Sequence, residues 1–412
     1  MQGRDLPEQL TAFLARHERE FTGFRRDLHM HPELAFAEHR TTGRIAERLR
    51  EAGLEPRVLP RGTGLVCDIG SGPGGLVALR ADIDALPLTD EKKDVPYRST
   101  VPGAAHACGH DVHTTVLLAT AVFLAQQDRA GSLPGRVRLI FQPAEELPGG
   151  AVEVVDNGAL KGVERIFALH CDPRLTAGRV GLRTGGITAA CDQVMVRLSG
   201  PGGHTARPHL TSDLVYALGK VVTELPAALS RRVDPRAGFS LVWGRISAGA
   251  APNVIPDDAV AEGTVRCLDD EAWHAAPETI KGLVESVAGP YGAEAEVTYR
   301  RGVPPTINEA GSVEVMREAA TSALGADAVA GTPQSLGGED FAWYLEHVPG
   351  ALARLGTHSP DWEGPMLDLH RGTFDVDERA IGVGTRFMVT TALTALWNRS
   401  RAGDRVDDEA LA

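Results

Sequence analysis

Lysine is scarce in this 412-residue chain, supplying five of the 42 basic residues against 37 arginines. The arginines are scattered, so the bias reads as GC-rich codon usage rather than as a row of guanidiniums built for phosphate. Basic residues are also outnumbered, since 55 acidic residues leave a formal charge of −13. That excludes the basic footprint of a nucleic-acid-binding protein and a chain held on anionic lipid. Cysteine is sparse too, with five residues widely spaced. An odd count in a chain long enough to bury a large core argues against a disulfide framework and for the reducing cytoplasm. Long apolar runs are missing. The most apolar stretch, Thr114 to Ala125, has 12 residues, too few to cross a bilayer, and Met1 to Phe21 lacks the apolar centre of a signal peptide. The motifs G-x-x-x-x-G-K-[ST], G-x-S-x-G and H-E-x-x-H are absent. One G-x-G-x-x-G match, Gly70 to Gly75, lies between two strand-like runs instead of between a strand and a helix. It is expected to close a hairpin, which removes the case for a nucleotide-dependent enzyme.

What is present is a globular composition, 43% hydrophobic and 24% charged, close to soluble averages. Amphipathic helix patterns cover about Leu6 to Leu28 and Thr41 to Ala52. Strand patterns follow at Gly64–Gly70, Gly75–Ile83, Arg136–Pro143 and Arg165–His170, with a buried helix expected over Thr114 to Gln126. Strands alternating with helices predict an α/β fold, a mixed sheet flanked by helices. Near Gly186 the rhythm changes to strand, helix, two strands, helix and strand, the ferredoxin-like α+β order. The chain is therefore read as one domain, 1–185 and 300–412, interrupted by an inserted domain at 186–299. The last dozen residues are expected to fray.

Chemistry-bearing residues gather at the ends of the predicted strands. His106, Cys108, His110 and His113 stand within eight residues, and on an extended segment Cys108 and His110 share a face. Thiolate with imidazole suits a borderline-soft divalent ion. Asp82 and Asp84 close one strand, where they can ligate or orient a ligating imidazole. Glu145 and Glu146 follow another. In an extended backbone they point apart, so one can bind metal while the other faces substrate as a general base. His170 ends a further strand in ALHCDP, and His370 stands two hundred residues later in LHRGTF. A lone histidine is more often a core or surface residue than a ligand, but donors converging from several strand ends are better explained by a two-metal site. In the inserted region a glycine-rich turn presents His204, the segment APNVIP offers Asn253, and Arg266 lies in the next predicted strand. Such groups suit holding a carboxylate and stabilising an oxyanion, although each alone is as readily a solvated loop residue.

The motifs RRDLHMHPELAFAE, RADIDALP, HACGHDVHTT, FQPAEE, ALHCDP, GPGGHTARPH, APNVIPD, GGEDFAWY and LHRGTFDVDE occur in this order, from about Phe24 to Asp377. Together they resemble the aminoacylase, carboxypeptidase G and hippurate hydrolase superfamily of metallopeptidases, and within it the amidohydrolase branch. The resemblance implies a di-metal, exopeptidase-like catalytic domain with an inserted lid through which the protein dimerises. It places the metal ligands at Cys108, His110, Glu146, His170 and His370, with the cysteine able to bridge two divalent ions. Zinc or manganese would be the first choice, cobalt or nickel the alternatives. Glu145 matches the general base toward water, Asp84 a supporting carboxylate, and His204 a lid histidine that stabilises the tetrahedral intermediate, in some relatives across the dimer. Asn253 and Arg266 match substrate-binding positions. The text departs from the commonest family pattern at Cys171, Asp172 and GGEDF.

Two divalent ions outweigh one thiolate and one carboxylate, so the site would stay positive and attract an anionic N-acyl amino acid. The expected reaction is metal-dependent hydrolysis of the amide of such a small molecule, as in hippurate hydrolases and aminoacylases. A dipeptidase or carboxypeptidase on the same residues is the nearest alternative, and a catalytically idle metal-binding protein the alternative from another class.

Overall fold

The computed structural model describes residues 6–409 other than Pro73 and Asp94, with side chains as far as Asn398. Two compact units emerge, each with its own core. The first comprises Met1–Gly185, Asn308–Pro333 and Trp343–Ala412, the second Gly186–Ile307 and Gln334–Ala342.

The first unit is built on an eight-stranded mixed sheet. Its strand order is Arg57–Val58, Leu65–Ile69, Arg136–Gln142, Leu76–Asp82, Arg165–Thr176, Gly350–His358, Val180–Leu182, Val329–Gly331. The four central strands, from Arg136–Gln142 to Gly350–His358, run parallel. All seven residues of Leu76–Asp82 are buried, as expected of a parallel strand covered on both faces. Helix Leu6–Met30 buries Leu10, Phe13, Phe21, Phe24 and Leu28, a three-and-four spacing that makes one apolar stripe. Helix His110–Arg129 is buried on every side for its first four turns, so it runs through the core. Helix Arg379–Glu409 takes in most of the stretch expected to fray, while residues 410–412 lie outside the described ones. Its segment Arg379–Asn398 is long and apolar enough to cross a membrane, but 78% of its most apolar window is buried inside the protein. Phe387, Met388, Val389 and Leu393 enter the core.

Three local expectations are corrected. Leu65–Ile69 and Leu76–Asp82 do not form a hairpin around Gly70–Gly75, because Arg136–Gln142 lies between them and hydrogen-bonds to both. The glycine motif still joins strand to strand, with no helix behind it to receive a phosphate. The strand carrying His170 runs on to Thr176, since pairing with Gly350–His358 continues past it. His110 is the first residue of a helix rather than part of an extended segment.

The second unit has a four-stranded antiparallel sheet in the order Ser240–Ala248, Asp258–Arg266, Cys191–Ser199, Glu294–Val303. Helices Leu214–Arg232 and Asp270–Ala288 cover it, the first capped by Asp213, which accepts from Tyr216 N. This is the ferredoxin-like arrangement. Its buried Asp192 carboxylate accepts from Trp273 Nε1 at 2.8 Å, Tyr299 Oη at 2.7 Å and Gly302 N at 2.8 Å, tying helix to sheet. Beside the sheet, the two-residue strands Gly203–His204 and Val254–Ile255 form a short ribbon.

Candidate metal centre

Turns at the carboxyl ends of the parallel strands assemble the site, and their backbone is unusual. Gly109 has φ +87° and precedes the helix that starts at His110. That left-handed turn, free of penalty for glycine, swings Cys108 and His110 onto one side. A Cβ on Gly109 would sit 2.8 Å from the Cys171 Sγ, so close packing requires glycine as well. Ala144 has φ +51° and His370 φ +59°, conformations that non-glycine residues hold only when surroundings impose them.

Five donors named from the sequence come together. Ligand atoms of Cys108, His110 and His170 lie within 4.8 Å of one another, and so do those of Cys108, Glu146 and His370. The Cys108 thiol is common to both triples, with Sγ 3.4 Å from His170 Nε2. A third triple joins His110 to Glu145 and Glu146. His110 Nε2 stands 3.9 Å from Glu145 Oε2 and 4.0 Å from Glu146 Oε1. Both carboxylates thus face one imidazole, contrary to the divergence expected of an extended backbone, because residues 145–147 lie in a bend and not in a strand. His370, half-exposed on its loop, brings Nε2 to 3.3 Å from Glu146 Oε1.

Hydrogen bonds fix which imidazole nitrogens face the centre. His170 Nδ1–H donates to the Cys171 carbonyl at 2.7 Å, which leaves Nε2 toward Cys108. His110 Nδ1–H donates to the Asp84 carbonyl at 3.0 Å and lies 3.2 Å from Asp84 Oδ1. Asp84 Oδ2 accepts from Glu146 N at 3.0 Å, so one carboxylate orients two of the donors. His110 Nε2 is buried and makes no hydrogen bond among the described residues. A buried nitrogen in that state is costly unless something takes its lone pair, and a divalent ion does.

Charge and burial together set the protonation of the donors. Burial pushes the Cys108 thiol well above its ordinary range, a cost that a bound cation reverses. Burial would lower His110, but Asp82, Cys108 and the hydrogen bond to Asp84 outweigh it and raise its pKa. His170 is held well below its ordinary value by burial, then by Arg354 and His113, so it offers a neutral nitrogen. The hydrogen bond to Glu146 raises His370. The donors are mixed thiolate, imidazole and carboxylate, and they fit borderline divalent ions.

Other motif residues have different work. His113 Nε2 accepts from Cys171 N at 2.8 Å while its Nδ1–H donates to Asp82 at 2.6 Å. Both nitrogens are taken, and Asp82 is held in turn by Arg80 at 2.6 Å. His106 is buried without a partner for either nitrogen among the described residues. The buried Arg354, opposite His170 on the next strand, was missed in the sequence, where nothing separates it from the other arginines.

The remaining candidates belong to the second unit. His204 pairs with Val254 across the ribbon, and Asn253 immediately precedes that partner. His204 Nδ1 accepts from Ala206 N at 3.0 Å, so the proton sits on Nε2 of an exposed ring. Arg266 ends its strand and donates to the Leu336 carbonyl at 2.8 Å.

Comparison with known proteins accords with this geometry. Residues 78–394 match the model of peptidase family M20/M25/M40. The chain belongs to that family. Among curated M20 relatives, an N-acetyl-L-cysteine deacetylase of Bacillus subtilis is 39% identical over 377 residues, 91% of this chain and 88% of that protein. A Rhodococcus jostii protein named putative glutamate–cysteine ligase 2-3 is 48% identical over 384 residues, 93% of this chain but 47% of that protein. The chain thus spans about half the length of that relative. A solved Bacillus subtilis M20 structure, described as a dinuclear metal binding peptidase, is 36% identical with a TM-score of 0.80, covering 94% of this chain and 99% of that one.

Proposed function

We propose that this M20 protein hydrolyses the amide bond of N-acyl amino acids, using two divalent ions held by Cys108, His110, Glu146, His170 and His370. The observation that carries the reading is the pair of donor triples sharing the Cys108 thiol, beside a second carboxylate, Glu145, with its Oε2 3.9 Å from His110 Nε2. Ions bound there would polarise the amide carbonyl and ease deprotonation of water. Zinc or manganese fits the donor set best, with cobalt or nickel as alternatives.

The protein's own groups do the rest. Glu145 takes the proton from the attacking water and returns it to the leaving nitrogen, which departs as a free amine. Asp84 keeps His110 and the Glu146 backbone in place. His204, with Nε2–H outward, donates to the oxyanion of the tetrahedral intermediate, and Asn253 and Arg266 hold the substrate carboxylate. A relative 39% identical is named an N-acetyl-L-cysteine deacetylase, so N-acetylcysteine is the first substrate to test, beside N-benzoylglycine.

The protein is further proposed to act as a cytoplasmic homodimer through the second unit. Support comes from the edge strand Ser240–Ala248, which pairs on one side and leaves Val242 and Ile246 more than half exposed. A bare apolar edge is a ready pairing surface for a second copy.

The test is a panel of N-acyl amino acids and free dipeptides, read by released amine, on metal-loaded and chelated protein and on Glu145→Gln. Turnover of blocked amino acids should vanish with chelator and in the variant. Turnover surviving both would refute the proposal, and strong preference for a free α-amine would favour a dipeptidase.

A further inference from the structure

Glu38 closes the segment HPELAFAE, and the reaction described above makes no use of it. It is a fully buried carboxylate at the N-cap position of helix His39–Glu51, yet its side chain does not cap that helix. Glu33 does so instead, accepting from Arg40 N at 2.9 Å and Thr41 N at 2.7 Å. Glu38 Oε1 accepts from Ala144 N at 2.8 Å, across 106 residues of chain. Ala144 is the residue with φ +51° that redirects the chain into Glu145 and Glu146.

The segment leading to Glu38 touches both carboxylate-bearing turns. Ala85 N donates to the Glu33 carbonyl at 2.8 Å, and Leu34 bridges Ala85, next to Asp84. Phe36, with φ +62°, packs against Gly149, where an added Cβ would lie 3.7 Å from its ring. Arg61 covers that ring at 4.4 Å and reaches Glu153 at 2.9 Å. The segment is a strap between the turn bearing Asp84 and the turn bearing Glu145 and Glu146. Burying a carboxylate is unfavourable, so one with no cation partner among the described residues, whose Oε1 accepts the amide of Ala144, points to a geometric task.

We infer that Glu38 is a positioning residue, whose oxygen holds the Ala144 amide in the left-handed turn that aims Glu145 and Glu146 at His110. The inference rests on the proposed hydrolase reading. What it needs is an acceptor, not a charge. Glu38→Gln keeps an oxygen at that place, while Glu38→Ala leaves the Ala144 amide buried and unpaired. Glycine adopts the left-handed conformation unaided, so Ala144→Gly should recover part of what Glu38→Ala loses.

The test compares the wild type, Glu38→Ala, Glu38→Gln and the Glu38→Ala/Ala144→Gly pair in the full-length chain. Zn²⁺ titration by calorimetry reads the site without substrate, so failure of the N-acyl amino acid reading does not obscure it. Kinetics on N-acetylcysteine read kcat and KM separately. Glu38→Ala should lose about 10- to 100-fold in kcat and in Zn²⁺ affinity, the usual effect of removing a group that orients ligands, with KM little changed. Glu38→Gln should stay close to wild type. Wild-type kcat and Zn²⁺ affinity in folded Glu38→Ala would overturn the inference. So would a Glu38→Gln variant impaired in both, a result that remains decisive if Glu38→Ala does not fold.

Discussion

Replacing His106 by leucine should make the protein more resistant to acid. The imidazole is about 1% exposed, and neither nitrogen has a hydrogen-bond partner among the described residues. Burial pushes its pKa from 6.5 down to about 3, against the pull of Asp111 and Asp84 and with the repulsion of His29 and His110. Above pH 6.5 the residue is neutral whether the chain is folded or not, and contributes nothing to pH dependence. Below that, the unfolded chain takes up a proton that the folded chain refuses. Stability then falls by about 1.4 kcal/mol per pH unit until the folded group also titrates. The loss is about 2 kcal/mol at pH 5 and approaches about 5 kcal/mol below pH 3. Leucine is close in volume and does not titrate. Urea unfolding of wild type and His106→Leu, both stripped of metal, at pH 7.5 and pH 5 isolates this quantity. Packing differences at pH 7.5 cancel in the comparison between the two pH values. The variant should lose about 2 kcal/mol less than wild type on going to pH 5. An equal loss in both proteins would refute the reasoning, because His106 would then be charged in the folded state or paired with a group that accepts its proton.

Two further outcomes are expected. Both oxygens of Asp84 face donors, His110 Nδ1–H and Glu146 N–H, so Asp84→Asn would set an amide N–H against one of them. Activity and Zn²⁺ affinity should drop about 10- to 100-fold, and calorimetry giving wild-type affinity would contradict the role assigned to it. If His204 serves the partner's site, mixing the inactive variants Glu145→Gln and His204→Ala should restore turnover through hybrid dimers. No recovery after demonstrated subunit exchange would place that histidine in its own chain's reaction.

The α/β rhythm of the first unit and the ferredoxin-like order of the second could be read from the sequence, because periodicity reports which face of a regular element meets the core. The inventory of donors was equally legible, since a thiol, imidazoles and carboxylates cluster after apolar runs. Regular elements carry their pattern within a few residues, so local sequence suffices for them. The site obeys no such pattern. Cys108 and His110 do not alternate along a strand but are joined by the left-handed Gly109, and Glu145 and Glu146 do not diverge because they lie in a bend that follows the left-handed Ala144. Nor does sequence sort the three histidines of HACGHDVH. His110 keeps an unbonded Nε2, His113 gives both nitrogens to Cys171 and Asp82, and His106 is left without a partner. The atoms that decide between them lie up to 58 residues away in the chain. Composition and spacing determined which chemistry the chain can assemble. Backbone turns held from outside, such as Ala144 by Glu38, decided how the donor-bearing loops run, because a positive φ at a residue other than glycine is set by what surrounds it rather than by its neighbours in sequence.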